Sequence, residues 1–128
     1  MKVIIAGSRH IFDRAFLDRA IALSPFEITT VVCGCARGID RCGAEWAYDR
    51  ELPVDHFPAN WDKYGIGAGP IRNRQMADHA DAAIVIWDGK SRGSKNMIEE
   101  MQKRNKPVHV VIYEPIKQDR TRPGPAGS

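Results

Sequence analysis

The stretch VVCGCARGID, residues 31–40, joins the end of an apolar run to a turn and the start of a helical pattern. The apolar run has the composition of a strand that is buried on both faces of a parallel sheet. Gly34 and Gly38 flank the turn, and from Ile39 onward apolar residues recur at the helical period. This order of strand, turn and helix predicts part of a βαβ unit, and therefore an α/β fold.

Four other apolar runs, rich in valine and isoleucine, resemble this strand. The five runs are KVIIA (2–6), TTVVC (29–33), PVDHF (53–57), AAIVIW (82–87) and PVHVVI (107–112). Helical patterns separate them: Asp13 can cap the first, Ile39 begins the second, the third runs from Pro70 to Ala80, and Ser94 can cap the last. Because parallel neighbours need right-handed crossovers, the pattern predicts a single Rossmann-like, doubly wound, five-stranded parallel sheet with helices on both faces.

The length of 128 residues predicts one domain. We place it at residues 1–113, and the polar segment 114–128, rich in proline and glycine, is predicted to be a flexible tail. Within the domain, the connection PANWDKYGIGAG (58–69) is long for an interior loop, and long loops in compact domains tend to be functional.

The composition is that of an ordinary folded domain, with 43% hydrophobic and 27% charged residues. A net charge of +3 is too small to indicate a nucleic-acid binder by itself. No apolar window is long enough to predict a membrane span, and the apolar run at the start is too short for a signal peptide. The odd number of cysteines, three, then predicts reduced thiols and a cytoplasmic protein.

The sequence predicts neither a metal site nor a cofactor. The four histidines fall on separate predicted elements, so they do not complete a ligand set with Cys33, Cys35 and Cys42. We expect Cys33 to pack in the core.

Three predicted loops leave strands at the carboxyl edge of the sheet. They are AGSRH (6–10), CGCARGID (33–40) and WDGKSRGS (87–94). Each combines small residues with an arginine and precedes a helix, whose free N–H groups and dipole favour an anion. Any one loop is explained equally well as a strand-exit turn, with Arg37 paired to Asp40. Their convergence at one edge favours an anionic ligand site.

Two common nucleotide motifs are absent from the sequence. There is no GxGxxG fingerprint, which disfavours NAD as a hydride carrier. The GKS at residues 89–91 lacks the first glycine of a P-loop, because Ile84 occupies that position inside a predicted strand. The sequence therefore disfavours an ATPase.

Four motifs carry a resemblance to a known family. GSR (7–9), GCARGID (34–40), GPIRNRQM (69–76) and WDGKSRGS (87–94) together resemble the SLOG superfamily over residues 1–112, in particular its small stand-alone bacterial and phage members related to YspA. ARGID and RNR also resemble the Rossmann-like domain of the DNA-processing protein A family, which binds single-stranded DNA. Other superfamily members are cytokinin-activating phosphoribohydrolases or sensors of signals such as cyclic ADP-ribose variants. The resemblance implies nucleotide or nucleic-acid ligands, and dimers are common in the superfamily.

We predict that the protein binds a phosphate-bearing nucleotide or nucleotide-derived small molecule, including ADP-ribose-type signals, as a sensor or sequestering protein. The predicted binding residues are Gly7, Ser8, Arg9, Gly34, Arg37, Gly38, Asp40, Arg72, Arg74, Asp88, Ser91, Arg92, Gly93 and Ser94. Trp61 and Tyr64 are candidates for stacking on a base, or for a hydrophobic lid packed on the body.

Two alternatives stay open. One is an N-glycosidic hydrolase of nucleoside monophosphates, although Met97 occupies the position of the acid in the PGGxGTxxE motif of the phosphoribohydrolases. Asp88, Glu45 and Asp40 are then the catalytic candidates, and Asp88 equally suits capping of its own loop. The other alternative is a single-stranded DNA binder that uses the same arginines. The residues favour a binding protein over an enzyme.

Overall fold

A computed structural model describes residues 1–114 of the chain. Within that range the strands are β1 (Lys2–Gly7), β2 (Thr30–Cys33), β3 (Val54–His56), β4 (Ala82–Trp87) and β5 (Val108–Ile112). The helices there are α1 (Arg14–Leu23), α2 (Ile39–Asp49), α3 (Trp61–Tyr64), α4 (Ala68–His79) and α5 (Arg92–Lys103), with a 3₁₀ turn (Gly65–Gly67) before α4. None of these helices has the length and apolar character that a membrane crossing requires. The predicted tail lies outside the described residues, apart from Glu114.

The five strands form one sheet in the order β3-β2-β1-β4-β5, and every neighbouring pair is parallel. β1 lies at the centre, where Val3 is in register with Val31 of β2 and with Ala82 of β4. The prediction of a Rossmann-like, doubly wound parallel sheet is confirmed.

The central strands are apolar on both faces because helices cover both faces. Ile5 and Ile84 face α1 and α2, whereas Ile4 and Val85 face α4 and α5, and all four side chains are fully buried. Burying an isoleucine side chain contributes about 1.5–3 kcal/mol. These two apolar layers hold the strand ends, and the loops that follow them, in fixed positions.

Two helix boundaries differ from the sequence prediction. The long connection contains α3, which is capped by the Asn60 side chain, and α4 begins at Ala68 instead of Pro70. The last helix begins at Arg92, with Ser91 as its N-cap residue, whereas Ser94 was the predicted cap. The reason is that the Asp88 carboxylate accepts the N–H groups of Lys90 and Ser91 and closes the preceding turn early.

The chain leaves β1 and β4 toward opposite faces of the sheet. α1 and α2 pack on one face, and α4 and α5 pack on the other. Because β1 and β4 are neighbours, their loops separate at the carboxyl edge and leave a crevice between them. This topological switch point is where α/β sheets usually bind ligands.

Candidate ligand-binding site

A cleft of about 570 Å³ lies at this switch point. Its volume falls in the usual range of small-molecule sites. The predicted site residues that line it are Gly7, Ser8, Arg9, Asp40, Trp61, Arg72, Ser91, Arg92, Gly93 and Ser94. The fold therefore brings together the loop after β1, the start of α5, and residues of α2, α3 and α4.

Ser8 joins the two loops that leave β1 and β4. Its hydroxyl is buried, lies 3.0 Å from the Ser91 hydroxyl, and accepts the N–H of Asp88 at 3.3 Å. Its own N–H donates to the Ile86 carbonyl at 3.1 Å. These contacts fix the position of Ser91, and with it the start of α5.

The Asp88 carboxylate is engaged within its own loop. Besides the two backbone N–H groups at 2.7 and 2.8 Å, it accepts the Ser91 hydroxyl at 3.0 Å. Burial raises its pKa, but these hydrogen bonds and His10, 3.4 Å away, outweigh burial and lower the pKa to about 2. Asp88 does not line the cleft. Its contacts favour the role of capping its own loop over a catalytic role.

The first turn of α5 offers amide hydrogens to the cleft wall. Ser91 is the N-cap residue, but its side chain accepts no N–H of this helix, since it is bonded to Ser8 and Asp88 instead. No acceptor within residues 1–114 takes the N–H groups of Arg92, Gly93 and Ser94. Free amides of a helix start, with the helix dipole behind them, form an anion-binding position.

Asp40 and Arg72 lie on the inner side of the cleft and are both buried. The Arg72 guanidinium donates to the Gly34 carbonyl and, at 3.1 Å, to the Asn73 side chain. An atom added at the Cβ position of Gly34 would lie 2.8 Å from Asp40 Oδ2 and 2.9 Å from Arg72 Nη1. Gly34 is therefore required for the approach of these two side chains, although it does not line the cleft itself.

Burial raises the pKa of Asp40 to about 6, against the attraction of Arg72 and the hydrogen bond from the Ala36 N–H. A carboxyl whose pKa is higher in the folded than in the unfolded state binds its proton more tightly when folded. The stability that this preference contributes is present below the unfolded pKa of about 4 and is lost as the pH rises to about 6. Asp88, whose pKa is lowered, contributes a pH dependence of stability with the opposite sign, and it does so below about pH 4.

We therefore expect Asp40→Asn to remove a pH dependence of stability. Between pH 4 and 6.5, the free energy of unfolding of the wild type should fall relative to that of the variant by up to about 3 kcal/mol. Urea unfolding of both proteins at each pH measures this difference. A difference that stays constant across the range would contradict the assignment of Asp40.

Arg9 and Trp61 form the outer part of the cleft. The Arg9 guanidinium lies 5.8 Å from the centre of the Trp61 ring, and nearly half of the Trp61 side chain is exposed. The cleft carries a positive charge, because among the described residues its wall contains three arginines, Arg9, Arg72 and Arg92, but only one carboxylate, that of Asp40. A cationic wall beside an exposed aromatic ring suits a ligand that has both a phosphate and a base.

The structure places six predicted site residues away from the cleft wall, besides Asp88. They are Gly34, Arg37, Gly38, Glu45, Tyr64 and Arg74. Arg37 lines a second cavity beside Phe12 and Tyr48, because the turn around Cys35 directs it away from the Asp40 side of the loop. Glu45 lies 3.8 Å from Arg14 on the outside of α2.

Arg74 is exposed on α4, and the ring of Tyr64 packs under the Lys63 ammonium. Neither side chain lines the cleft. Both residues lie in segments where the sequence suggested a ligand, but the helices that form there direct the two side chains to other surfaces.

Sequence reasoning missed Asn73 and Asn96. The Asn73 side chain is buried and donates to Asn96 Oδ1 at 2.9 Å and to the Gly93 carbonyl at 3.3 Å, while it accepts from Arg72. It therefore ties α4 to the first turn of α5 in the cleft. The available signal was its position in GPIRNRQM: an asparagine between two arginines on a buried helix face needs polar partners.

Comparisons with known proteins agree with this architecture. The sequence model of the YspA, cpYpsA-related SLOG family (YAcAr) matches residues 1–64. This match includes β1, β2, α2 and the loops that follow β1 and β2. No curated protein matches the chain.

Among solved structures, the X-ray structure of DNA processing protein A (DprA) from Streptococcus pneumoniae has a similar fold, with a TM-score of 0.70 and 21% sequence identity. The similarity covers 90% of this chain and 51% of that chain, so the present chain spans about half of its length. At this identity the likeness concerns the fold.

Proposed function

Because the chain belongs to the YspA, cpYpsA-related SLOG family, we propose that the cleft binds a phosphate-bearing nucleotide or a nucleotide-derived small molecule. The observation that carries the proposal is the first turn of α5, whose amides lack acceptors in the described chain and lie beside Arg9 and Arg92 at the switch point. In this interpretation the phosphate accepts these amide hydrogens and its charge is balanced by the arginines.

The rest of the ligand extends toward Trp61. A base placed against this ring gains stacking of about 1–3 kcal/mol. The Arg9 guanidinium, 5.8 Å from the centre of the ring, contributes a positive charge at the same place. A cleft of about 570 Å³ holds a mononucleotide or an ADP-ribose-type molecule, whereas an extended polymer would need further aromatic platforms.

The cleft favours binding without cleavage. Met97, at the position of the acid in the phosphoribohydrolase motif, lines the cleft with an apolar, buried side chain. Asp88 is committed to its loop, and Glu45 lies on the outside of α2. We therefore propose a role as a sensor or a sequestering protein.

Thermal unfolding in the presence of AMP, ADP-ribose or inorganic phosphate tests this function. We expect at least one of the two nucleotides to raise the melting temperature more than phosphate alone, because ligands that bind only the folded state stabilise it. Arg9→Ala should abolish most of the shift. Arg37→Ala is the matched control, since this exposed arginine lies outside the cleft, and it should keep the shift. Equal losses in both variants, or no shift with either nucleotide, would contradict the proposal.

Asp40 supports one alternative function. A buried carboxyl in the cleft with a pKa near 6 has the protonation behaviour of a general acid or base. N-glycosidic hydrolysis would then release free base from the bound nucleotide, and Asp40→Asn would abolish the release. Bound AMP or ADP-ribose recovered intact after prolonged incubation would exclude this function.

Single-stranded DNA is the other alternative, and the solved structure with a similar fold is that of a DNA-processing protein. The exposed rings of Trp61, at the cleft, and of Tyr64, on the same short helix, are surfaces on which bases can stack. An oligonucleotide affinity that falls steeply with salt concentration would favour this function over the small-molecule ligand. The slope of log affinity against log salt concentration should then correspond to several neutralised phosphates.

A further inference from the structure

Three potential metal ligands come together on the other side of the loop that follows β2. Cys33 ends β2, His56 ends the neighbouring strand β3, and these two residues are in register in the sheet. Cys35 follows two residues after Cys33. His56 lies on a separate element from the cysteines, as expected, but the parallel pairing of β2 and β3 places it beside Cys33.

The ligand atoms lie near the spacing that a tetrahedral metal site requires. Both sulfurs and one His56 ring nitrogen lie within 4.8 Å of one another, and Cys35 Sγ is 3.5 Å from His56 Nδ1. With Zn–S about 2.3 Å and Zn–N about 2.0–2.1 Å, tetrahedral ligands lie about 3.5–3.8 Å apart. Small side-chain movements are sufficient to close the set around one ion.

The surroundings of the three ligands resemble those of a metal centre. The Tyr48 hydroxyl lies 3.2 Å from His56 Nε2, so the other ring nitrogen, Nδ1, is oriented toward the sulfurs. The Cys35 N–H donates to Cys33 Sγ at 3.3 Å, which is an interaction that stabilises a thiolate. Cys35 has a φ of 63°, a conformation that is unfavourable for cysteine and that brings its sulfur back to Cys33 and His56.

We propose that Cys33, Cys35 and His56 bind a zinc ion, with a fourth coordination position open to the second cavity. This cavity has a volume of about 460 Å³ and is lined by the three ligands together with Arg37, Arg41 and Tyr48. Three protein ligands and one open position are the arrangement of zinc sites that bind water or an anion. The two arginines favour an anion as the fourth ligand.

Binding of the ion has an opposing cost. Cys33 is buried, its thiol contacts the Asp40 carbonyl at 3.5 Å, and burial raises its pKa to about 12. The ion must displace this proton, which limits the affinity at neutral pH. The other two ligands are exposed and accessible from the cavity.

Cobalt(II) substitution of the full chain tests the site. The reduced, chelator-treated protein, titrated with Co²⁺, should develop thiolate-to-cobalt charge-transfer absorption and the visible bands of a tetrahedral ion, saturating at one ion per chain. Zn²⁺ should displace the cobalt. Absence of thiolate charge transfer at saturating Co²⁺ would overturn the proposal.

Variants identify the ligands. Cys35→Ser and His56→Ala alter exposed residues and should each lower the Co²⁺ affinity by more than about 100-fold, because even loss of an outer-shell partner costs about 10–100-fold. Tyr48→Phe should lower it by about 10-fold and keep the spectrum. Cys42→Ala removes a thiol outside the cluster and should change neither. An affinity that is unaffected by Cys35→Ser or by His56→Ala, in variants whose circular dichroism matches the wild type, would contradict the three-ligand site.

Discussion

Gly38→Ala is expected to lower the free energy of unfolding by about 3 kcal/mol. Gly38 precedes α2 with φ 72° and ψ −127°, a conformation that only glycine adopts at low cost. A Cβ atom at this position would lie 2.5 Å from the carbonyl oxygens of Ser8 and Arg9. Because both contacts are with backbone, the methyl group cannot be accommodated by a side-chain rotation, and the two loops must separate.

Gly93→Ala is the matched control for this experiment. Gly93 lies in the first turn of α5, and a Cβ there meets no atom within 4 Å. Alanine is the better helix former, so this variant should be as stable as the wild type or more stable by up to about 1 kcal/mol. Urea unfolding of the three proteins measures both effects. A Gly38→Ala protein within about 0.5 kcal/mol of the wild type would contradict the close packing of the β1 and β2 loops.

Gly93→Asp is expected to lower the affinity for AMP and ADP-ribose by at least about 100-fold while the protein stays folded. An aspartate in the first turn of a helix is favourable for stability, because its negative charge lies at the positive end of the helix dipole. In the cleft, however, the same carboxylate lies where we propose that the phosphate binds. Like charges about 4 Å apart near a protein surface repel by about 4 kcal/mol.

The matched control for the charge is Gln75→Glu. It makes the same change in net charge on an exposed position of α4 outside the cleft, and it should bind the nucleotides like the wild type. Calorimetric titration with AMP and ADP-ribose compares the three proteins. Unchanged affinity in a folded Gly93→Asp protein would mean that the start of α5 does not hold the phosphate.

The fold was predictable because its signals are local. Strands such as β4, with five fully buried apolar residues in succession, admit few alternatives to the centre of a parallel sheet. The start of α5 was less predictable, since the Asp88 carboxylate closes the preceding turn and Ser91, not Ser94, becomes the N-cap residue. In the connection before α4, the four-residue helix α3 is capped by the Asn60 side chain, and such short elements carry little periodicity.

The loops that form the candidate site could be predicted from the sequence, but the side chains that line the cleft could not all be predicted. The topology alone places the ends of β1 and β4 together, so Ser8, Arg9 and Ser91 line one cleft as expected. Which way Arg37 projects depends on the left-handed backbone at Cys35, and a sequence pattern does not reveal that conformation. The proximity of His56 to the cysteines depends likewise on the register of β2 with β3.

The most direct test of the central claim is the amide ¹H–¹⁵N spectrum of the full chain during titration with AMP. Binding of the phosphate at the start of α5 should shift the amide signals of Arg92, Gly93 and Ser94 most strongly, followed by those of residues 7–9. It should leave the signals of β3 and β5 in place. Shifts confined to other parts of the chain, or none at millimolar AMP and ADP-ribose, would contradict the account.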